Sequence, residues 1–169
     1  MPRKHTDNMR LLWLRNPYGS YIVTGQKTVE LRSQNSLFRG EVWIFSSQTL
    51  AFKKADWQAL KKKKSPEEYE YMRLKSHLLG RANLVRVRNT KAGDAKRACV
   101  PKIDRWCIAW EMQDAQALPE PVPWPKGGKL GLCKPDSDDR RILNRLRKKY
   151  GWKDYEVSQN VSEFEPWRF

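Results

Sequence analysis

Hydrophobic and polar positions along this chain change period several times, and each change predicts an element. Residues 9–14, MRLLWL, are an apolar run of strand length, and Pro17 separates it from a short helical turn over residues 18–25 that Gly25 stops. KTVELR then alternates, with Val29 and Leu31 on one face and Thr28, Glu30 and Arg32 on the other, the period of a half-buried strand. EVWIFSS, after the turn at Gly40, predicts its neighbour, because branched and aromatic side chains suit a pleated surface. Between residues 52 and 79 the spacing of Phe52, Trp57 and Leu60, then of Tyr69, Met72 and Leu79, predicts two helices. They part at Ser65, a good N-cap, with Pro66 at the first helical position and Glu67 and Glu68 in the first turn.

GRANLVRVR and WCIAWEM return to strand patterning, with Trp106, Ile108, Trp110 and Met112 alternating onto one face, and Lys91 to Lys102 forms a basic loop between them. LPEPVPWPKGGKLGLCKP is too rich in proline and glycine for a helix and predicts an extended closing segment with one short strand at 129–133. DSDDRRILNRLRKKYG predicts the last helix: Asp136 or Ser137 caps it, Asp138 and Asp139 suit its positive end, Arg147, Lys148 and Lys149 its negative end, and Gly151 ends it. Ile142, Leu143, Leu146 and Tyr150 face inward, and residues 152–169 form an aromatic, partly acidic tail. Short strands with inserted helices, without regular βαβ alternation, predict an α+β fold around a small, mostly antiparallel sheet, with closure into a barrel the favoured variant. At 169 residues one domain is expected over the whole chain.

Charge narrows the partner. A formal charge of +15 points to an acidic ligand, and nucleic acid comes before membrane, because neither terminus carries a broad amphipathic helix or a lipidation signal. The amino end lacks an apolar signal segment and no run approaches a spanning helix, so a cytoplasmic location is expected, or a nuclear one in a eukaryote. Cys99, Cys107 and Cys133 form no Cys-x-x-Cys pair, and with only His5 and His77 beside them no metal site and no cofactor is expected.

One block stands apart. Pro17-Tyr18, Gly25, Lys27, Glu30, Arg32-Ser33, Arg39-Gly40 and Ser46-Ser47 follow one another in an order that resembles the signature of ASCH domains, named for activating signal cointegrator 1, within the PUA-like superfamily. HLLGRANLVRV and PVPWPKGGKLGLCKP extend the resemblance, so that it covers most of residues 9–135. It implies a PUA-like β-barrel with peripheral helices and a nucleic-acid-binding cleft beside the signature block. Some related bacterial members are amidohydrolases of acetylcytidine that use a Gly-x-Lys-x-x-Thr string. Lys27 matches that lysine, but Glu30 stands where the threonine would be, which counts against that activity.

Within the block, Lys27 follows a turn and would meet a phosphate or a base carbonyl, unless it is only a surface lysine. Glu30 and Arg32 share a strand face, either as a structural bridge or with Glu30 on a base and Arg32 on a phosphate. Tyr18 and Tyr21 offer stacking surfaces or core packing, and Trp124, held between two prolines, is a further stacking candidate. Gly127 and Gly128 would admit a close backbone, flanked by Lys126 and Lys129, while Ser33, Arg39, Ser46 and Ser47 complete the expected binding set. Lys61 to Lys64, the loop from Lys91 to Lys102, and the last helix with Arg140, Arg141, Arg145, Arg147, Lys148 and Lys149 form broad cationic surface, with Arg145, Lys148 and Lys149 expected to meet backbone. The leading expectation is a module that binds RNA or DNA, single-stranded RNA favoured, in a cleft for an unstacked nucleotide. An enzyme on the same cleft, a ribonuclease or a hydrolase of a modified nucleoside using Lys27, Glu30 and Tyr21, is the alternative. A protein-interaction module of a transcription or translation complex is the third.

Overall fold

The structure is a computed structural model that describes residues 8–103 and 107–157; the alternation expected at Trp106 and most of the tail lie outside the described residues. Strands β1 (Met9–Leu14), β2 (Val29–Arg32), β3 (Gly40–Ser46), β4 (His77–Asn89) and β5 (Ile108–Pro123) build one curled sheet in the order β1-β3-β4-β5-β2. β1 runs parallel to β3 and every other neighbouring pair is antiparallel. Helices α1 (Tyr18–Val23), α2 (Lys54–Lys63), α3 (Pro66–Met72), α4 (Asp94–Arg97) and α5 (Ser137–Tyr150) lie around it, giving the α+β architecture with peripheral helices that the patterning predicts.

Both faces of β3 are covered. β3 sends Val42 and Ile44 into a core with Leu12, Leu14, Ile22, Leu79, Leu84 and Trp110, and sends Trp43 and Phe45 into a second core with Met9, Leu11, Leu78, Leu118 and Leu143. That double burial explains why EVWIFSS reads as a nearly unbroken apolar run. α1 fills the first core through Ile22 and Val23, and α5 docks on the second through Leu143, where full burial of one such side chain contributes about 1.5–3 kcal/mol. α5 starts with a reciprocal cap, the Asp136 carboxylate accepting from the Asp139 N–H at 2.8 Å and the Asp139 carboxylate accepting from the Asp136 N–H at 3.1 Å.

Three expectations change. The helical pattern expected to reach residue 79 stops at Met72, and His77 already opens β4, with Leu78 and Leu79 divided between the two cores. The proline-rich stretch, expected as an extended closing segment with its one short strand at 129–133, is already regular strand through Pro123. Pro121 and Pro123 tolerate this because they alternate with residues that donate: the Trp124 N–H bonds the Ser76 carbonyl at 2.8 Å, so the missing donors fall on the side away from β4, where β2, paired only with 108–111, has ended, while Pro119 lies in the register shift between the Leu78 and Gly80 pairings. The short strand expected at 129–133 reduces to a single bridge between Leu11 and Cys133, on the outer edge of β1. β4 and β5 approach so closely at their register shift that a Cβ on Gly80, at φ +158°, would lie 2.2 Å from the Gln116 carbonyl oxygen.

Candidate functional site

Because β1 and β3 are parallel, both deliver their carboxyl ends to the same end of the sheet, and the loops that follow them form two walls of a cleft of about 640 Å³. Arg15 comes from the loop after β1 and Tyr18 from the first position of α1, Ser47, Gln48, Thr49 and Ala51 from the loop after β3, Arg32 from the end of β2, and Gly128 to Gly131 close the remaining side. Backbone bonds hold the loops together, from the Ser47 N–H to Leu14 at 2.8 Å and from the Ala51 N–H to Asn16 at 2.9 Å. Asn16 is buried and ties this corner to α1, its side-chain oxygen accepting from the Ser20 N–H at 3.0 Å while its amide donates to the Leu74 carbonyl at 2.9 Å. Gly128 lies flat on the Trp13 ring, where a Cβ would come within 2.7 Å, so a larger residue would push this wall away.

The cleft is cationic, aromatic and free of acid. Arg15, Arg32 and Lys129 line it with the rings of Trp13 and Tyr18 and the hydroxyl-bearing Ser47 and Thr49, and no carboxylate is among its lining residues. Its volume is that of a small-molecule site. Burial first, and the Glu30 carboxylate second, push the Tyr18 phenol above its ordinary value, so it stays protonated as a donor at neutral pH. Leu130, 97% exposed, stands at the rim.

Lys27 and Glu30 sit behind this wall, not in the cleft. Lys27 is 4% exposed; its ammonium donates to the Ala98 carbonyl at 2.8 Å, lies 3.5 Å from Glu30 Oε2 and stands 5.1 Å from the centre of the Tyr18 ring. Glu30 turns its other oxygen to Arg32 at 4.0 Å. The bridge geometry foreseen for Glu30 and Arg32 is therefore present, widened to a Lys27–Glu30–Arg32 chain that presents only Arg32 to the cleft.

The other expected residues divide. Tyr18, Arg32, Ser47, Gly128 and Lys129 line the cleft. Tyr21 is buried in a cluster with Trp57, Tyr69 and Met72 and does not reach it, and burial raises its phenol. Ser46 is buried and accepts from the His77 N–H at 3.0 Å, and Arg39 is buried against the carbonyls of Ser36 and Phe38. Trp124 is not a loop platform: the pairing of β5 carries it inward, 5% exposed and edge-on to Phe45 at 5.0 Å between ring centres. Ser33 and Gly127 are exposed and outside the cleft lining, and Lys126 is engaged at 3.4 Å with both Asp136 and Asp139. Arg145, Lys148 and Lys149 are exposed along the second half of α5. Their neighbour Arg147 pairs with Glu41 and Asp154, and Glu41 lies six positions before Ser47 on β3, about 20 Å from the cleft. Sequence reasoning missed Trp13, Arg15, Gln48, Thr49 and Leu130, for which the only signal was a place directly after or at the end of a predicted strand.

Among the described residues no group of three or more His, Cys, Asp or Glu side chains could hold a metal ion, and no helix is long and apolar enough to cross a membrane.

Comparison with known proteins agrees with this architecture. The sequence matches the ASCH domain family over residues 12–122. No curated protein sequence matches the chain. Among solved structures it is similar to the ASCH protein from Zymomonas mobilis, at 14% identity and a TM-score of 0.55, covering 90% of this chain and 99% of that one. Two single-residue variants of that protein are similar as well, one at 14% identity over 83% of this chain and 97% of the other, the second at 15% over 82% and 98%, both with a TM-score of 0.53. With a family match over residues 12–122 and a fold shared with these structures, the chain belongs to the ASCH domain family.

Proposed function

We propose that the chain is a single ASCH domain that binds single-stranded RNA by accepting one unstacked nucleotide in the cleft. The observation that carries this reading is the lining itself, with three cations, two aromatic rings and no carboxylate around a volume suited to a nucleotide. Phosphate oxygens would face Arg15, Arg32 and Lys129, and the base would stack against Trp13 or Tyr18. RNA is preferred to DNA because PUA-like folds are linked in general to RNA binding. Turnover by the residues first considered for it is disfavoured by their placement: Glu30 lies behind the wall with cations near both oxygens, Tyr21 does not reach the cleft, and burial pushes the Tyr18 phenol up, away from use as a base.

Anisotropy of labelled single-stranded RNA, duplex RNA and single-stranded DNA across a salt series tests the proposal, with gel electrophoresis of the products to detect cleavage. Arg15→Gln and Lys129→Gln should each lower the magnitude of the log K against log salt slope by about 0.7 for the single strand. A flat salt response, or RNA affinity indifferent to both substitutions, would count decisively against it.

A further inference from the structure

We infer that α2 is the arm along which the strand leaves the cleft, its exposed lysine stripe holding the phosphodiester backbone that flanks the bound nucleotide; this rests on the cleft reading above. The helix begins where the cleft ends. Ala51 lines the cleft and α2 starts at Lys54, and the wall is joined to the helix by rings, Tyr18 to Phe52 at 5.7 Å and Phe52 to Trp57 at 5.4 Å. Trp57 is the buried face of α2, with Leu60 half-buried beside it. Lys54, Gln58, Lys61 and Lys62, spaced i, i+4, i+7 and i+8, form a neighbouring stripe that is exposed throughout. Asp56, the acid of this helix, lies off that stripe, and of the acids on α3, Glu68 is turned to Lys64, at 3.9 Å, just past the end of α2 and outside the stripe. From Lys54 to Lys62 the helix rises about 12 Å, which faces three or four phosphates of a stacked strand at about 3.4 Å each.

The other cationic helix offers no such path. α5 presents Asp136, Asp138 and Asp139 at the end near the cleft wall, where Lys126 is already engaged, Arg141 is paired with Asp138 at 3.2 Å and Arg140 is half-buried; Arg145, Lys148 and Lys149 lie further along, beside Arg147, which pairs with Glu41 and Asp154. A polyanion leaving the cleft toward α5 would meet carboxylates first. Toward α2 it meets Lys53 and Lys54, both exposed.

Two triple variants separate these paths, Lys54→Gln/Lys61→Gln/Lys62→Gln on α2 and Arg145→Gln/Lys148→Gln/Lys149→Gln on α5. Each is measured by anisotropy on single-stranded RNAs of about four and about twelve nucleotides. The α2 variant should bind the longer RNA about tenfold more weakly at low salt and lose about 2 from its salt slope, three contacts at about 0.7 each, while binding the shorter RNA like the parent. The α5 variant should stay within about twofold on both. The thermal midpoint of each should match the parent, since every exchanged side chain is exposed. Unchanged binding of the longer RNA by the α2 variant overturns the inference, as does equal loss on both lengths, or competition by polyglutamate as effective as by RNA. Failure of the parent to bind either RNA is a different pattern, which removes the cleft reading and the arm with it.

Discussion

Glu30→Gln leaves the Lys27 ammonium buried with a carbonyl and a ring for neighbours. At 3.5 Å and an effective dielectric constant of about 20, the Lys27–Glu30 attraction is about 5 kcal/mol, and the Glu30–Arg32 attraction at 4.0 Å is about 4 kcal/mol. Neither is a net gain, because three charges have been withdrawn from water, and the useful measure is the cost of removing one partner from a buried pair, about 3–5 kcal/mol. Glutamine keeps an acceptor for Lys27, so the lower end, about 3 kcal/mol, is expected, equivalent to a fall of about 6–12 °C in the thermal midpoint for a chain of this size. Lys27→Met, measured with the double variant, should return a coupling energy of about 2 kcal/mol by urea unfolding, since the two groups share one network. RNA affinity of Glu30→Gln should hold or rise, because the charge of Arg32 is no longer offset by a neighbouring carboxylate when it meets phosphate. If Glu30→Gln instead unfolds within about 0.5 kcal/mol of the parent while RNA binding collapses, the carboxylate faces ligand and the reasoning is wrong.

Asp94 is fully buried, accepts from both Arg88 terminal nitrogens at 2.8 and 2.9 Å, and is held below its ordinary value of 3.8 chiefly by the Arg88 hydrogen bonds. A depressed carboxylate contributes stability above its unfolded value that is lost as pH falls toward its folded one, so unfolding free energy should decline below about pH 4, and Asp94→Asn should be less stable at pH 7 and flatter over that window. Trp124→Ala, measured by the same unfolding series and by RNA anisotropy, should cost about 3–5 kcal/mol of stability with little change in RNA affinity under conditions where it stays folded, the reverse of what a stacking platform would give.

What could be read in the sequence was whatever depends on local chemistry. Ser65 accepts from the Glu68 N–H at 3.2 Å and Asp136 forms its reciprocal cap, so both helix starts were legible from a few residues. VELR declared its strand through alternation, and EVWIFSS through its branched and aromatic side chains. The signature block marked the right neighbourhood, but spacing could not say which of its polar side chains turn outward. Lys27 points inward because the chain from α4, about 70 positions later, brings the Ala98 carbonyl against it. Ser46 and Ser47 are adjacent, yet one closes a strand and the other lines the cleft, a difference set by His77 and the register of β4. Trp124 was misjudged for the same reason, since alternate prolines look like a loop until the opposite strand shows which side needs donors.

Leu11 and Cys133 exchange both backbone hydrogen bonds, at 2.8 and 2.9 Å, and the segment just before Cys133 is the cleft wall that carries Gly128 and Lys129. That pairing closes a chain of about 120 residues, so its entropic cost is met only after most of the sheet exists, and the wall is among the last parts to be fixed. The lysines and arginines need no such closure to attract a polyanion. A molecule in which the first and last thirds have separated thus keeps its stickiness toward nucleic acid but loses its choice, and lesions at this seam should create promiscuous binders in place of silent ones.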